Sequence, residues 1–489
     1  MATGTDRIIV AVPDIAVATG GRILFRAQGR AGVTSVVVDS RMAAEGCLFV
    51  ALPGERTDGH EFLGQAAAAG AAALLVSDTQ AARRTEELAR IAAERGVGVV
   101  AVPDTLTGLQ DLARYHMRRL PAITRIGITG SNGKTTTKEI VGTILSRAAP
   151  TATNTGNLNS EIGLPLACFQ VEASHRYAVL EMGMNHAGEM DVLADIVRPD
   201  LALITNIGTA HIGLLGSREE IAKEKKKIFA HFDGRQTAFL PENTQYSALL
   251  AEGLRGRVLY FGPKSTPGYG GSESMGLGGT LIHWEGFRIR FPLFGPHNLA
   301  NALGALSVAC ELGVPNAEIR DGLEAVAPLF GRSQIIAGPV TVIVDCYNAN
   351  PDSMASALDF VEALSWEGRK IAVLGSMREL GEETGPAHRA LGERLRETGL
   401  DAVLLFGAEM EYAWQAIESS PARARCGWFA DRDALGDRLQ GSLRHNDLLL
   451  LKGSRGLELE KLLPRIVAKP PRRPEPGPAD RTDQGGSRC

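Results

Sequence analysis

The stretch that most limits how this chain can fold is Ile126-Gly127-Ile128-Thr129-Gly130-Ser131-Asn132-Gly133-Lys134-Thr135-Thr136-Thr137. Residues 123–128 are rich in β-branched side chains and read as a buried strand. A glycine-punctuated turn follows, and a helix opens at Lys134. This is the layout of a phosphate-binding loop. Backbone N–H groups at the helix N-terminus wrap the phosphates, the lysine reaches the outer ones, and the next hydroxyl holds Mg²⁺. The usual spacing puts a glycine five positions before Gly133. Ile128 stands there instead, and the glycine comes at Gly130, giving the tighter G-x-x-G-K-T-T. Strand, loop and Lys-Thr-Thr together imply a nucleoside triphosphate held by Gly130, Ser131, Asn132, Gly133, Lys134, Thr135 and Thr136.

At 489 residues the chain has room for about three domains. Its composition is that of an ordinary globular protein, with 44% apolar and 22% charged residues. A net charge of −4 gives no nucleic-acid or membrane-surface signal. No run approaches the roughly 18 apolar residues that span a bilayer. The segment 1–7 lacks a basic-then-apolar leader. The six cysteines are scattered with no C-x-x-C pair, and read as reduced thiols. A cytoplasmic monomer is expected.

Four regions follow from the patterning. Residues 1–107 alternate short strands (35–38, 47–51, 72–76) with helices, one of them alanine-rich at 62–70. Residues 108–322 open with a helix, then carry the phosphate loop and buried-type strands at 177–181 and 201–205, which argues for a parallel α/β sheet. Alternation at Phe287-Arg288-Ile289-Arg290-Phe291 reads as a small antiparallel hairpin region appended to it. Residues 323–468 repeat strand–helix units with strands at 340–344, 370–374, 402–406 and 448–451, as in a Rossmann-like sheet. The Pro-, Arg- and Gly-rich stretch 469–489 is expected to be disordered.

Several side chains could carry chemistry. Glu181 closes a strand beside the loop and is a candidate Mg²⁺ ligand or a solvated strand-end acid. His211, in Asn206-Ile207-Gly208-Thr209-Ala210-His211, is a second metal candidate or a hydrogen-bonded loop residue. A helix is expected over 218–232, with Ser217 and Glu220 as a capping box. On it Ile221, Lys225 and Ile228 share one apolar stripe, with Phe229 close by, while Lys223, Lys226 and Lys227 point elsewhere. Lys225 either snorkels or is buried with a depressed pKa. A neutral amine there can take up CO₂ as a carbamate, an anion able to bind a second Mg²⁺. Asn298 and Asn301 could grip an adenine edge or cap their helix at 299–312. Asp345, at a strand end, could bind ribose hydroxyls, with Asp352 or Ser353 capping the next helix. Arg332, between the second and third regions, is a linker residue or one that reaches a phosphate. Ser40 and Arg41 end a strand as a plain turn or a diphosphate contact.

In chain order, 127–139, Thr155-Gly156-Asn157-Leu158-Asn159-Ser160-Glu161, Glu181-Met182-Gly183, 206–211, His297-Asn298-Leu299-Ala300-Asn301, Asp345-Cys346-Tyr347-Asn348-Ala349-Asn350-Pro351 and Lys452-Gly453-Ser454-Arg455 resemble the Mur ligase family over about residues 39–455. The third-region signatures are similar to the branch that adds a D-Ala-D-Ala dipeptide. Another amino-acid-adding member, or a folylpolyglutamate-type ligase, is the alternative. The resemblance implies an α/β protein of three domains: an N-terminal UDP-substrate domain, a central P-loop ATPase-type parallel sheet, and a C-terminal Rossmann-like domain. It implies ATP and Mg²⁺ as cofactors, with UDP-N-acetylmuramoyl-tripeptide and D-Ala-D-Ala as substrates joined through an acyl phosphate. Lys134, Glu181, His211 and Lys225 would be catalytic. Thr135, Glu181, His211 and a carbamylated Lys225 would hold metal, and Asn301, Arg332 and Asp345 would hold ATP. Ser40, Arg41, Asn157, Asn159, Asn348 and Asn350 would meet substrate. Lys227, Val344 and Ser376 stand where the family usually has acidic residues.

Overall fold

The computed structural model describes residues 8–28 and 32–467. The tail expected to be disordered lies outside the described residues. The first sheet orders its strands Arg22–Phe25, Gly98–Val102, Ala73–Ser77, Cys47–Val50, Ser35–Val37. All its pairings are parallel except that of Arg22–Phe25. The central sheet runs Arg257–Phe261, Thr237–Pro241, Leu201–Ile204, Thr124–Thr129, Tyr177–Glu181, Thr151–Thr153, parallel throughout. Its middle strands are buried on both faces, which is why they read as apolar runs without alternation. The expected hairpin region is a three-stranded antiparallel sheet, Tyr269–Ser274, Thr280–Trp284, Phe287–Phe291, with Trp284 fully buried on the central domain's core.

The third sheet orders Gln334–Ile336, Val340–Asp345, Asp447–Lys452, Lys370–Gly375, Ala402–Phe406, Cys426–Phe429. Its two outer strands had no sequence signal. Gln334–Ile336 is a short antiparallel edge, and Cys426–Phe429 is half-buried. Separate cores fill the two faces of this sheet.

The first two sheets are joined differently. Helix Thr105–Arg118 begins just before residue 108 and buries Leu109, Leu112, Ala113 and Met117. These side chains belong to one core that runs from Val50 and Leu75 of the first sheet to Leu180 and Met182 of the central one.

Three local expectations need correction. The helix predicted over 218–232 is α-helical only over Arg218–Lys226, then tightens into a 3-10 turn, Lys227–Phe229. Its capping box is half formed: Glu220 N donates to Ser217 Oγ, but the Glu220 carboxylate takes Lys223 Nζ at 2.8 Å instead. The third domain's first helix, Pro351–Ala363, is capped by Asn350, not by Asp352 or Ser353. Ser353 N donates to Asn350 Oδ1, and Asn350 N donates back to Ser353 Oγ.

Candidate active site

Three neighbouring strands of the central sheet end at one place. Glu181 is in register with Ile128, and Ile204 with Thr129. Loop 130–136, Glu181 and loop 205–211 therefore emerge side by side beyond the carboxyl ends of the strands, where open parallel sheets bind ligands. They form one wall of a cleft of about 830 Å³ whose other wall is the third domain.

The displaced glycine has a steric cause. Gly130 has φ +148°, and a Cβ there would overlap Thr205 Oγ1. Ile128 is buried within the strand and has no such constraint. Gly133 has φ +79°, and a Cβ on it would overlap Asn301 Oδ1. The loop is held from the next strand. Asn132 N donates to Asn206 Oδ1 at 2.9 Å, Asn206 Nδ2 donates to Asn132 O at 3.0 Å, and Gly208 N donates to Ser131 Oγ at 2.8 Å. Lys134 heads helix Lys134–Ala148, and its Nζ donates to Gly130 O at 2.9 Å. Burial lowers its pKa, while the Glu181 carboxylate pulls the other way.

Glu181 is positioned through its backbone and one oxygen. Asn154 accepts from Glu181 N and donates to Glu181 O. Asn159 Nδ2 donates to Oε1 at 2.6 Å, and buried Oε2 has no hydrogen-bond partner. Lys225 is completely buried, which excludes snorkelling, and its Nζ is also without a partner. Burial first, and the nearby Lys134 charge second, push its pKa well below the ordinary lysine value. It does not line the cleft. Glu224, without a readable signal, is buried beside it and accepts from Gly188 N at 2.9 Å.

From the third domain's side, Arg332 stacks its guanidinium 4.0 Å from the Tyr347 ring and donates to Thr135 Oγ1 at 2.9 Å. The linker residue thus reaches the phosphate loop. Asp345 accepts from Ser333 N and pairs with Lys452 at 2.7 Å. Asn301 donates to Asn298, whose own amide donates to Phe294 O. Neither caps the helix, which starts at Pro296. Asn157, Asn159, His211 and Asn348 line the cleft. Asn350, expected to meet substrate, does not line it: it is buried, caps its own helix and donates to Asn132 Oδ1 at 2.7 Å. Ser40 and Arg41 do not line it. Arg41 is exposed and pairs with Asp39, and Ser40 Oγ donates to Gln65.

Lys452 and Glu379 had no assigned role, and Asp352 only that of a candidate helix cap. Asp352 takes Thr209 N at 2.8 Å and Arg218 Nη2 at 2.9 Å, and Glu379 Oε2 lies 3.2 Å from His211 Nδ1. Of these only Lys452 was legible, as part of Lys452-Gly453-Ser454-Arg455; the sheet then sets its strand beside the one that ends in Asp345.

Among the described residues no group of three or more His, Cys, Asp or Glu could hold a metal. Thr135 Oγ1 and the unpartnered Glu181 Oε2 nevertheless suit Mg²⁺, which keeps several waters and takes one or two carboxylates plus substrate phosphates.

Residues 32–116, 128–309 and 331–455 match the models described as "Mur ligase family, catalytic domain", "Mur ligase middle domain" and "Mur ligase, glutamate ligase domain". The UDP-N-acetylmuramoyl-tripeptide–D-alanyl-D-alanine ligase of Treponema pallidum (strain Nichols) is 38% identical over 94% of this chain and 99% of its own. The chain belongs to the Mur ligase family. Among solved structures, this Mur ligase is similar to MurF from Acinetobacter baumannii, with a TM-score of 0.83 at 31% identity over 94% of this chain and 99% of that one. It is also similar to the MurF ligase of Thermotoga maritima in complex with ADP, with a TM-score of 0.74 at 28% identity over 88% and 96%. The three-domain α/β architecture of this Mur ligase is that of these neighbours. Among the described residues no helix is long and apolar enough to cross a membrane.

Proposed function

We propose that this chain is an ATP-dependent ligase joining D-Ala-D-Ala to the terminal carboxylate of UDP-N-acetylmuramoyl-tripeptide, in peptidoglycan precursor synthesis. The observation that carries the reading is the cleft itself. A phosphate loop and an unpartnered carboxylate oxygen gather at one sheet edge, with the buried Lys225 behind them, and face a third domain that supplies Arg332 and the Asp345–Lys452 pair. The curated relative over nearly the full length carries the same activity in its name.

In the first step a substrate carboxylate oxygen bonds to the γ-phosphorus of ATP as the bond to the β-phosphate oxygen breaks, giving an acyl phosphate and ADP. Two anions must meet, so the protein's task is positioning and charge compensation. Lys134 exchanges its contacts with the Gly130 and Ser131 carbonyls for phosphate oxygens. The N–H groups opening helix Lys134–Ala148 point at the same place. Arg332 brings a second fixed cation, and Asn301 and Asp345 bind the nucleoside. In the second step the dipeptide amine attacks the acyl carbon, an amide forms, and phosphate and a proton leave. Asn157, Asn159 and Asn348, which line the cleft, contact substrate, and Ser40 and Arg41 take the uridine diphosphate end.

Mg²⁺ held by Thr135 and Glu181, with a second ion at His211 and Lys225, would offset phosphate charge. Lys225 would serve as a ligand only as a carbamate, in which Nζ has bonded to the carbon of CO₂, a C=O electron pair has moved onto oxygen and a proton has been lost. The decisive test is the mass of the product formed from UDP-linked tripeptide, ATP and D-Ala-D-Ala, run against single amino acids. A tripeptide extended by both alanines is expected. Equal use of single amino acids would overturn the assignment.

A further inference from the structure

His211 and Glu379 face each other across the cleft from different domains, and both have left-handed backbones. His211 has φ +64° and Glu379 has φ +65°, conformations uncommon for residues with a side chain. Two positions beyond each lies a glycine, Gly213 and Gly381, and these two glycines touch. A Cβ on Gly213 would overlap Gly381 N and Leu380 C; a Cβ on Gly381 would come within 2.8 Å of Gly213 Cα. The two loops therefore dock backbone to backbone, and that docking sets Glu379 Oε2 at 3.2 Å from His211 Nδ1. The approach is within hydrogen-bond range but not in line as the ring stands, and Nδ1 is buried without an aligned partner. Glu379 supplies a carboxylate within reach of it.

The third domain fixes its loop firmly. Met377 N donates to His388 Nε2, Arg378 N donates to Ser454 Oγ, and Leu380 is buried in the third domain's core. Neither Glu379 nor the glycine contact belongs to the machinery described above.

We propose that Glu379 is a positioning residue for His211, and that it acts only when the third domain is seated through the Gly213–Gly381 contact. Accepting a hydrogen bond from Nδ1–H fixes the ring's tautomer and leaves the Nε2 lone pair for the cleft. One half of the candidate metal site is thereby completed from the other domain. The inference rests on the reading of His211 as a metal-facing residue.

The test is Mg²⁺-dependent binding of ADP, measured by titration calorimetry on the full chain, which needs neither peptide substrate. Glu379→Ala is expected to raise the Mg²⁺ concentration for half-maximal ADP affinity about 10-fold, the lower end for loss of a residue that orients a ligand. ADP affinity in EDTA should stay unchanged. Glu379→Gln, whose amide oxygen still accepts, should stay within about 3-fold of the parent. Gly213→Ala supplies an independent lever. Gly213 lies in the short helix Ile212–Leu215, where alanine is locally tolerated, and the nearest atoms the added Cβ meets all lie across the interface. It should reproduce the Glu379→Ala shift and enlarge the radius of gyration by small-angle scattering. The double variant should be no worse than either single one. An unshifted Mg²⁺ requirement in Glu379→Ala, or additive shifts in the double variant, overturns the proposal. A parent protein that binds ADP equally with and without Mg²⁺ overturns it together with the metal reading of the site. Failure of D-Ala-D-Ala ligation alone leaves these binding outcomes fully decisive.

Discussion

Replacing Asp345 by alanine should unfold the third domain far more readily than its modest burial suggests. The cause is Lys452, whose side chain is 2% exposed and whose ammonium lies 2.7 Å from Asp345 Oδ2. Removing the carboxylate strands that charge, with only a 3.5 Å contact to Asn348 O left, and orphans Ser333 N–H. Breaking a buried pair from one side costs about 3–5 kcal/mol. Asp345 is itself a fifth exposed, so the lower end applies, about 3 kcal/mol. With a urea slope of about 2 kcal/mol/M, the midpoint should fall by about 1.5 M. Three of the four tryptophans, Trp366, Trp414 and Trp428, lie in this domain, so fluorescence-monitored urea unfolding reads it directly. Asp345→Ala combined with Lys452→Met removes both charges and should recover most of the loss, leaving about 1 kcal/mol for the lost hydrogen bond. A single variant costing under about 1 kcal/mol, or a double variant no more stable than the single one, would refute the stranded-charge argument.

Gly133→Ala should weaken ATP binding by at least about 10-fold in equilibrium titration while costing about 1–3 kcal/mol of stability, since the Cβ meets Asn301 at a positive φ. Lys225→Ala should lose about 10²-fold in kcat, with partial recovery on adding short carboxylic acids. Full activity without supplement would exclude the carbamate. Lys225→Met, which removes a buried amine with no partner, should raise the thermal midpoint while abolishing turnover. Burial also holds His388 below its ordinary pKa, so below about pH 6.5 the unfolded chain binds the proton that the folded chain refuses. Third-domain stability should be intact above about pH 6.5 and fall as pH drops through the lowered folded value, as urea midpoints at several pH values would record.

What could be read from the sequence was whatever local geometry alone determines. The turn at Gly130–Gly133 needs glycines for reasons that lie within one strand–loop–helix unit, and Lys225 follows from helical spacing. Partners distant in the chain left no local trace. Arg332 finds Thr135, Asp345 finds Lys452, and Glu379 finds His211 only after the sheets set strand ends side by side. Asn350 was missed as a cap because Asn350-Pro351-Asp352-Ser353 offers three capping side chains. Choosing among them requires the docked partners, Thr209 and Arg218 for Asp352.

The core threaded by helix Thr105–Arg118 has a consequence for where this chain can be cut. The sequence divides into three parts, but the packing divides it into two, because the first and central sheets share apolar side chains on one helix. A break near residue 107 would split a hydrophobic interior and leave two sticky halves. A break in 327–333 would leave most of each interior in one piece, the exception being Phe294, which the central region lends to a core of the third domain by stacking on Phe360. That segment contains Arg332, the residue that touches Thr135 of the phosphate loop. The joint of the molecule and its contact with the nucleotide site are thus the same few residues, and severing or stiffening one alters the other.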